Sequence, residues 1–360
     1  MVGLEDSIHP TLKEAMALSL PSPTFAAWRC SGITSGMSAA EPSITPQMAA
    51  SVLKLGGLVA LPTETVYGLG ANALDARAVA RIFAAKERPF FDPLIVHLAD
   101  ASWWPRVVFD FPPVAERLAK RFWPGPLTMV LPKVSAIPDI VTSGMPSVAI
   151  RVPDHPLTRE VLRLADVPVA APSANLFGRL SPTTAEHVRQ QLGDRVDLIL
   201  DGGPCRVGVE STILQFHGDE VVCLRPGGVP LEEIECLIGP VGRFASRDYD
   251  DEHPVAPGML ASHYAPRTKL TIVEEVPVSP PSPRTGLLIL QPSDRASSYA
   301  QVETLSRNGD LIEAASNFFQ ALHRLDQLGL DAILATPFPN EGLGLALNDR
   351  LQRAAHGFMG

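Results

Sequence analysis

The sequence predicts an α/β protein of two domains, and three observations carry that reading. The chain has 360 residues, more than one hydrophobic core usually serves. Short apolar runs bounded by Gly, Pro or Asp alternate with segments of helical periodicity, as interleaved strands and helices do. From 244 to 254 the periodicity lapses and acids gather at Asp248, Asp250, Asp251 and Glu252, which reads as a tether between two units.

Taken in chain order, Thr45-Pro46 supplies an N-cap and first-turn proline, and Gly56-Gly57 a stop, so a helix precedes the apolar strand "LVAL". Asp75 caps the helix "ARAVARIFAAK", whose Val79, Ile82 and Phe83 share one face. "PLIVHL" reads as a strand and Pro113 to Trp123 as a helix. "SVAIRV", "VPVAAP", "LILD", "STILQF" and "VVCLR" follow as strands, with helices near 156–164, 183–192 and 231–238, and mixed strand directions are expected. Beyond the tether, "KLTIVEE", "GLLILQP" and "DAILATP" are strands, and Asp310 to Leu328 sets Leu311, Ala314, Ala315, Phe318, Phe319, Leu322 and Leu325 on one helical face. A last helix runs over about 345–356, and "PVSPPSPR" is a loop inside this second, smaller α/β domain.

Composition narrows the function. With 46% hydrophobic and 19% charged residues the chain is globular rather than disordered. A formal charge of −9 argues against a surface built mainly to hold nucleic acid, so no stable direct nucleic-acid binding is expected. Cys30, Cys205, Cys223 and Cys236 form no CxxC pair, which points to neither a zinc site nor a disulfide framework, and a cytoplasmic location is expected. No apolar run reaches membrane-spanning length. Residues 1–36 lack the pattern of a signal peptide and read as a disordered extension, with Met37 as a plausible start.

The chemistry begins at "LPTETVYGLGANA". Gly68 to Ala73 formally matches the dinucleotide fingerprint GxGxxG/A, which raises a nicotinamide enzyme as one reading. Pro62 to Tyr67 separates the glycines from their strand and counts against it; a Gly turn between strand and helix is the plainer alternative. Lys86 and Arg88 lie just before Pro89, where the helix must stop, so both can turn toward one site as a point charge and a fork suited to a polyphosphate. The alternative is a solvated charge at a helix end. His97, within an apolar strand, reads by itself as a core histidine. Arg151 interrupts another apolar strand and needs an anionic partner or a cleft. Ser173, Asn175 and Ser181 sit in a proline-bracketed loop, Glu210, Ser211 and Thr212 open a strand, and Arg225 ends one. These positions, at the ends of α/β elements, are where such folds bind ligands. There is no GxxxxGK[ST], HExxH or GxSxG, which disfavours P-loop hydrolysis and a covalent nucleophile.

The ordered set "PTETVYGLG", "KERP" with "PLIVH", "PSAN" with "SPT", "ESTI" and "RPG" closely resembles the threonylcarbamoyl-AMP synthase family, whose domain is called YrdC-like. "HYAP" followed by a small α/β domain is similar to its two-domain subfamily. The resemblance implies a YrdC-like open twisted mixed sheet with helices over residues 37–240, a linker and lid over 241–266, and a smaller Rossmann-like α/β domain over 267–360. It implies synthesis of L-threonylcarbamoyladenylate from L-threonine, bicarbonate and ATP with one Mg²⁺ and release of pyrophosphate. The product would pass to a transferase that modifies tRNA. Carried over by position, Thr65, His97, Arg151, Ala171 and Ser211 would contact threonine; Arg88, Asp92, Ser147, Ser173, Ser181 and Arg225 would contact ATP, with Lys86 and Asn175 beside the phosphates. Lys86 and Arg88 are the expected catalytic cations. The family often has Asn at the position of Asp92 and Thr at that of Ser147. An RNA-binding module without synthase activity and a carbamoyl-transferring relative are the competing classes; the acidic total disfavours the first, and the second usually carries further domains.

The 28 residues from Gly239 to Pro266 could span on the order of 90 Å when extended, far more than two touching domains require. The surplus, with the polar tips of His263 and Tyr264, predicts a segment that folds back over the nucleotide as a closing lid.

Overall fold

A computed structural model describes residues 44–218, 220–243 and 263–357. The extension expected over 1–36 and residues 244–262 of the expected lid lie outside the described residues.

The first domain is built on ten described strands: β1 (Val59–Leu61), β2 (Gly68–Asn72), β3 (Ile95–His97), β4 (Leu127–Pro132), β5 (Ser147–Arg151), β6 (Val169–Ala170), β7 (Leu198–Ile199), β8 (Thr212–His217), β9 (Glu220–Arg225) and β10 (Gly242–Arg243). They form one mixed sheet in the order β10-β9-β8-β4-β5-β3-β6-β2-β1-β7. Helices α1 (Pro46–Lys54), α2 (Ala76–Lys86), α3 (Pro113–Phe122), α4 (Asp139–Thr142), α5 (Pro156–Ala165), α6 (Ala185–Leu192) and α7 (Leu231–Ile238) accompany it. The mixed sheet expected from sequence is therefore present.

Local chemistry explains most boundaries. Thr45 caps α1 by accepting from Met48 N at 3.3 Å, and Pro46 occupies the first turn. The buried Ala49, Ala50 and Leu53 of α1 share a core with Val161, Leu162 and Ala165 of α5. Asp75 caps α2 through Arg77 N and Ala78 N, and Glu87 ends it in the left-handed region at φ 55°, two residues before Pro89.

Three strands depart from expectation. "GLGAN" is β2, an interior strand antiparallel to both β1 and β6, rather than a turn or a nucleotide-binding elbow. A Cβ on Gly70 would lie 2.9 Å from Val169 Cγ1 and 3.1 Å from Leu61 Cδ1, so its glycine serves close packing within the sheet. "LTMVLP", not expected as a strand, is the central β4, antiparallel to β5 and parallel to β8. Gly242 and Arg243, expected in the linker, pair with β9 in the first domain's sheet.

The second domain has four described parallel strands, β11 (Leu270–Ile272), β12 (Thr285–Ile289), β13 (Gln301–Thr304) and β14 (Ala332–Ala335), in the order β11-β14-β12-β13. Its helices are α8 (Leu311–Gln327), capped by Asp310, and α9 (Gly344–Ala355). The domains share a core: Val66, Leu180 and Val209 of the first cluster with Phe318, Phe319, Leu322 and Leu347 of the second. Gly208 is the close approach, because a Cβ there would lie 2.3 Å from the Ala315 carbonyl oxygen and its φ is +77°. The second domain is packed onto the first rather than merely tethered to it.

At this junction His187 of α6 stacks on His323 of α8, with centroids 3.7 Å apart and planes at 19°, and His323 Nε2 lies 3.1 Å from the Ser181 carbonyl oxygen. Burial first, then the fields of His323 and Arg324, pushes His187 down to about 3, and burial also lowers His323. The unfolded chain therefore takes up protons first as pH drops below about 6.5. Stability from the pair is fully present above that pH and is lost progressively toward about 3. Melting temperatures measured from pH 7 to 4 should fall more steeply for the native protein than for His187→Phe; parallel curves would reject this account.

Candidate active site

The candidate site is a cavity at the junction of the domains, built from the loop between β1 and β2, the ends of β3, β5, β6 and β9, and the residues entering the second domain. Its wall includes Thr65, Arg88, His97, Arg151, Ala171, Ser173, Ser211, Arg225, His263 and Tyr264 from the expected set. Thr63, Val66, Gly68, Ile95, Pro172 and Glu210 line it as well; Glu210 is among the strand-opening positions that the sequence marks for ligand binding, and Gly68 enters there only through the dinucleotide fingerprint. Lys86, Asp92, Ser147, Asn175 and Ser181 do not reach the wall.

The "PTETVY" loop is held by its own hydroxyls. Thr63 Oγ1 accepts from Thr65 N and Val66 N at 3.2 Å each and donates to the Val66 carbonyl at 2.5 Å. Tyr67 pins the loop's far end, donating to the Gly203 carbonyl at 2.8 Å and accepting from Gly202 N at 3.1 Å. Thr65 Oγ1 is thereby fixed where Arg151 Nη1 donates to it at 2.9 Å.

Arg151 is paired as its position in an apolar strand demands. Nη2 meets Glu64 Oε1 at 2.6 Å and Nε donates to the Gly125 carbonyl at 3.2 Å. The other Glu64 oxygen accepts from Asp154 N at 3.0 Å. Parallel pairing of β3 with β5 sets His97 directly beside Arg151. Burial first, and Arg151 second, depresses His97 to about 3, so its imidazole is neutral at neutral pH. His97 Nδ1 is buried with no hydrogen-bond partner among the described residues.

The cations at the end of α2 divide their work. Lys86 is 1% exposed, and its ammonium donates to the carbonyls of Ser173 and Asn175 at 2.5 Å each. It clamps the "PSAN" loop from behind, which corrects the expectation of a cation turned into the site. Burial, then Arg88, lowers its pKa well below the usual value, with Asp92 opposing. Arg88 does face the cavity; Nη2 pairs with Asp92 Oδ2 at 2.8 Å and donates to the Pro93 carbonyl at 3.0 Å. Asp92, fully buried, is thus spent on Arg88 rather than on a ligand. Burial raises its carboxyl against the lowering fields of Arg88, Lys86 and Arg225.

Asn175 braces its loop by donating to the Leu176 and Arg179 carbonyls at 2.8 Å each. Ser147 begins β5 opposite Pro132, away from the wall. Ser181 Oγ donates to Glu210 Oε1 at 2.5 Å, so its hydroxyl acts behind the wall through Glu210. Arg225 Nη2 donates to the Ser211 carbonyl at 3.0 Å and hydroxyl at 3.3 Å, while Ser211 Oγ lies 2.7 Å from Thr128 Oγ1. The "RPGG" glycines let this turn lie against "ESTI": a Cβ on Gly227 would lie 2.3 Å from the Ser211 carbonyl carbon.

His263 and Tyr264, 4% and 1% exposed, complete the wall. Ala265 N donates to the Gly178 carbonyl at 2.8 Å and anchors the pair to the first domain. Burial, then Arg88 and Lys86, holds His263 neutral, and its ring meets Phe177 edge-on at 6.0 Å. Tyr264 adopts φ 62°, and its buried hydroxyl and His263 Nδ1 have no hydrogen-bond partner among the described residues. Unpartnered polar atoms on the wall of a cavity suit a polar ligand that satisfies them.

Behind Glu210 stands a residue that sequence reasoning passed over. Arg350 of α9 is fully buried, and its Nε meets Glu210 Oε2 at 2.8 Å. The available signal was a cation on the apolar face formed by Leu347, Leu351 and Ala354.

Fold and site together define a two-domain α/β protein whose cavity, walled by arginines, neutral histidines and hydroxyls, suits a polar anionic small molecule. The Sua5/YciO/YrdC family model, described as "Telomere recombination", matches residues 51–227. A second, described as "Threonylcarbamoyl-AMP synthase, C-terminal domain", matches residues 229–356. The threonylcarbamoyl-AMP synthase of Bacillus subtilis is 43% identical over 335 residues, covering 90% of this chain and 96% of that one. That of Pyrococcus abyssi is 43% identical over 319 residues, covering 86% and 93%. The chain belongs to the threonylcarbamoyl-AMP synthase family. The crystal structure of P. abyssi Sua5 complexed with L-threonine is similar at a TM-score of 0.80 and 41% identity, covering 86% of this chain and 94% of that chain.

Removing one partner of a buried ion pair leaves an uncompensated charge and costs about 3–5 kcal/mol. Glu64→Leu should destabilise the protein by about that amount, with Glu64→Leu/Arg151→Met recovering most of it. Denaturant unfolding checks this, and a single variant as stable as the native protein would reject it.

Proposed function

We propose that the protein condenses L-threonine, bicarbonate and ATP into L-threonylcarbamoyladenylate and pyrophosphate, supplying the first step of threonylcarbamoyladenosine formation in tRNA. The observation that carries the reading is the gathering of Thr65, His97, Arg151, Ala171 and Ser211 on the same cavity as Arg88, Ser173, Arg225, His263 and Tyr264. It is supported by similarity to the named synthases across both domains. The L-threonine complex of the P. abyssi relative supports threonine as substrate.

In this reading bicarbonate takes up a proton and loses water to give carbon dioxide, threonine's neutral amine adds to it and sheds a proton to give a carbamate, and a carbamate oxygen attacks the α-phosphorus of ATP. The new P–O bond forms as the bond to the leaving pyrophosphate breaks. The reaction needs no protein nucleophile; it needs two anions held in line and charge stabilised on the leaving group. Arg151 donates through Nε to Gly125 and through Nη1 to Thr65, while its Nη2, paired by charge with Glu64, has no hydrogen-bond partner among the described residues and offers its N–H groups to threonine's carboxylate. Neutral His97 offers a hydrogen bond beside it without adding charge. Arg88 and Arg225 serve the phosphates, while Lys86 and Asn175 keep the "PSAN" loop in place for Ser173. Asp92 and Ser181 act at one remove, through Arg88 and Glu210.

Among the described residues no group of three His, Cys, Asp or Glu could hold a metal ion. Glu64, Asp92 and Glu210 are each committed to an arginine. These residues do not fit a resident cation, so Mg²⁺ enters as the counterion of the ATP phosphates, the usual habit of this ion. No described helix is long and apolar enough to cross a membrane. The product is a reactive mixed anhydride and is consumed by a transferase acting on tRNA.

The test is pyrophosphate release from MgATP with and without threonine and bicarbonate, with the adenylate followed by mass spectrometry. Release that is independent of threonine would reject the function. A hydrogen bond to a charged group contributes about 1.5–3 kcal/mol, roughly 10- to 150-fold. Arg88→Ala should raise KM for ATP by about that factor and leave KM for threonine within about threefold. Equal effects on both would remove Arg88 from its assigned role. His263→Ala/Tyr264→Ala should likewise raise KM for ATP, and unchanged kinetics would leave the pair as packing alone.

A further inference from the structure

We infer that Phe177 is a positioning residue for the nucleotide: its ring steadies the Arg88 guanidinium and also meets the edge of His263, so that the seating of His263 is felt at Arg88. The inference rests on the proposed function, in which Arg88 serves the phosphates, and it names a residue that stands behind the cavity wall rather than on it.

The backbone decides where Phe177 sits. Its N–H donates to the Lys86 carbonyl at 2.9 Å, while the Lys86 ammonium takes the Ser173 and Asn175 carbonyls at 2.5 Å each. Alternate residues of the loop, Ser173, Asn175 and Phe177, are thus strapped to the last residue of α2. Just beyond, Gly178 turns the chain at φ 75°, and its carbonyl accepts from Ala265 N at 2.8 Å. Phe177 is therefore held between the segment that carries Arg88 and the segment that carries His263.

Its side chain is turned to both. Leu176 beside it packs against the core of the first domain, whereas the half-buried ring of Phe177 meets two polar groups. The guanidinium carbon of Arg88 lies over the ring, 5.7 Å from its centroid. The His263 ring approaches edge-on, with centroids 6.0 Å apart and planes at 82°.

Arg88 needs this support because its other contacts lie along one edge. Nε donates to the Asp92 carbonyl at 3.2 Å, and Nη2 donates to the Pro93 carbonyl at 3.0 Å and pairs with Asp92 Oδ2 at 2.8 Å. The donors of a guanidinium lie in its plane, so these bonds fix one edge and leave the Nη1 end to be steadied by packing. The negative face of an aromatic ring attracts a cation without occupying any of its donors, which stay available to a phosphate. An aliphatic side chain of similar size would fill the same space and exert no such pull. Withdrawal of His263 takes away one side of the ring's seat, and Arg88 is loosened through the ring.

The test uses the full chain, threonine-dependent pyrophosphate release and MgATP binding by calorimetry. Phe177→Leu should raise both KM and Kd for ATP by about fivefold and leave KM for threonine within about twofold. Trifluorophenylalanine incorporated in place of Phe177 keeps the shape of the ring and drains negative charge from its face, so it should weaken ATP to a similar extent and serves even if Phe177→Leu fails to fold. His263→Ala should raise KM for ATP by a smaller factor in the Phe177→Leu background than in the native one. ATP constants within about twofold of native in both position-177 variants, or equal losses for ATP and threonine, would overturn the inference and leave Phe177 as packing. An equal effect of His263→Ala in the two backgrounds would overturn the link to His263. Native protein without threonine-dependent turnover rejects the proposed function, while the comparison of MgATP binding still decides the role of Phe177.

Discussion

A buried guanidinium must be met by an anion or by well-aimed carbonyls, and this constraint organises the site. Arg88, Arg151 and Arg350 each find a carboxylate, Asp92, Glu64 and Glu210 respectively, on a neighbouring segment. Lys86, with no carboxylate as its hydrogen-bond partner, takes two backbone carbonyls of the "PSAN" loop instead. Each pairing fixes a loop as well as a charge. The "PTETVY" loop is tied to β5 through Glu64 and Thr65, and the strand that begins at Thr212 is tied to α9 through Glu210. Buried ion pairs add little net stability, and apolar replacements of similar volume are often at least as stable. What they supply here is position.

The second domain belongs to this arrangement. Its core runs without a break into Val66, Leu180 and Val209 of the first domain, and Tyr264 lies against Phe319 at 5.7 Å while its hydroxyl remains unpartnered. The segment carrying His263 and Tyr264 is fixed at Ala265 to the first domain and enters β11 a few residues later. In the described state the pair is a wall of the cavity rather than a strap lying outside it. The surplus length of the tether says nothing about where its end is anchored; that is decided by the hydrogen bond to Gly178 and by the packing of Tyr264 between Arg350 and Phe319.

Features whose causes lie within a few residues were legible in the sequence. The caps Thr45 and Asp75, the stop before Pro89 and the apolar face of α8 depend on neighbours in the chain, and the structure places them as expected. The amphipathic α7 matches its expected bounds for the same reason. The β2 strand was not legible, because a Gly-x-Gly pair reads locally as a turn and only β1 and β6 on either side hold it extended. Ten of the fifteen expected site residues line one cavity, but their roles depend on distant partners. Lys86 looks like a ligand cation until the carbonyls 87 and 89 residues away are seen to take its ammonium. Asp92 looks like an unhelpful charge near a nucleotide until Arg88 is seen to neutralise it. Arg350 lies 140 residues from Glu210, and no local pattern joins them.

A cavity whose charges are matched before any ligand arrives is suited to chemistry that proceeds by alignment. Two anions must approach each other, and in water the solvent would have to reorganise as charge moves from the attacking oxygen to the leaving group. Here the dipoles and cations are fixed by their own partners, so little reorganisation accompanies that movement. The neutral state of His97 and His263 follows first from their burial and then from the same fields, because a second cation beside Arg151 or Arg88 would be repelled. Each imidazole therefore meets a substrate as a hydrogen-bonding group and not as a charge, while the arginines answer charge with charge. In the proposed reaction, selectivity for a zwitterionic amino acid and a triphosphate rests on that division, and the division rests on which carboxylate Arg88 and Arg151 already hold.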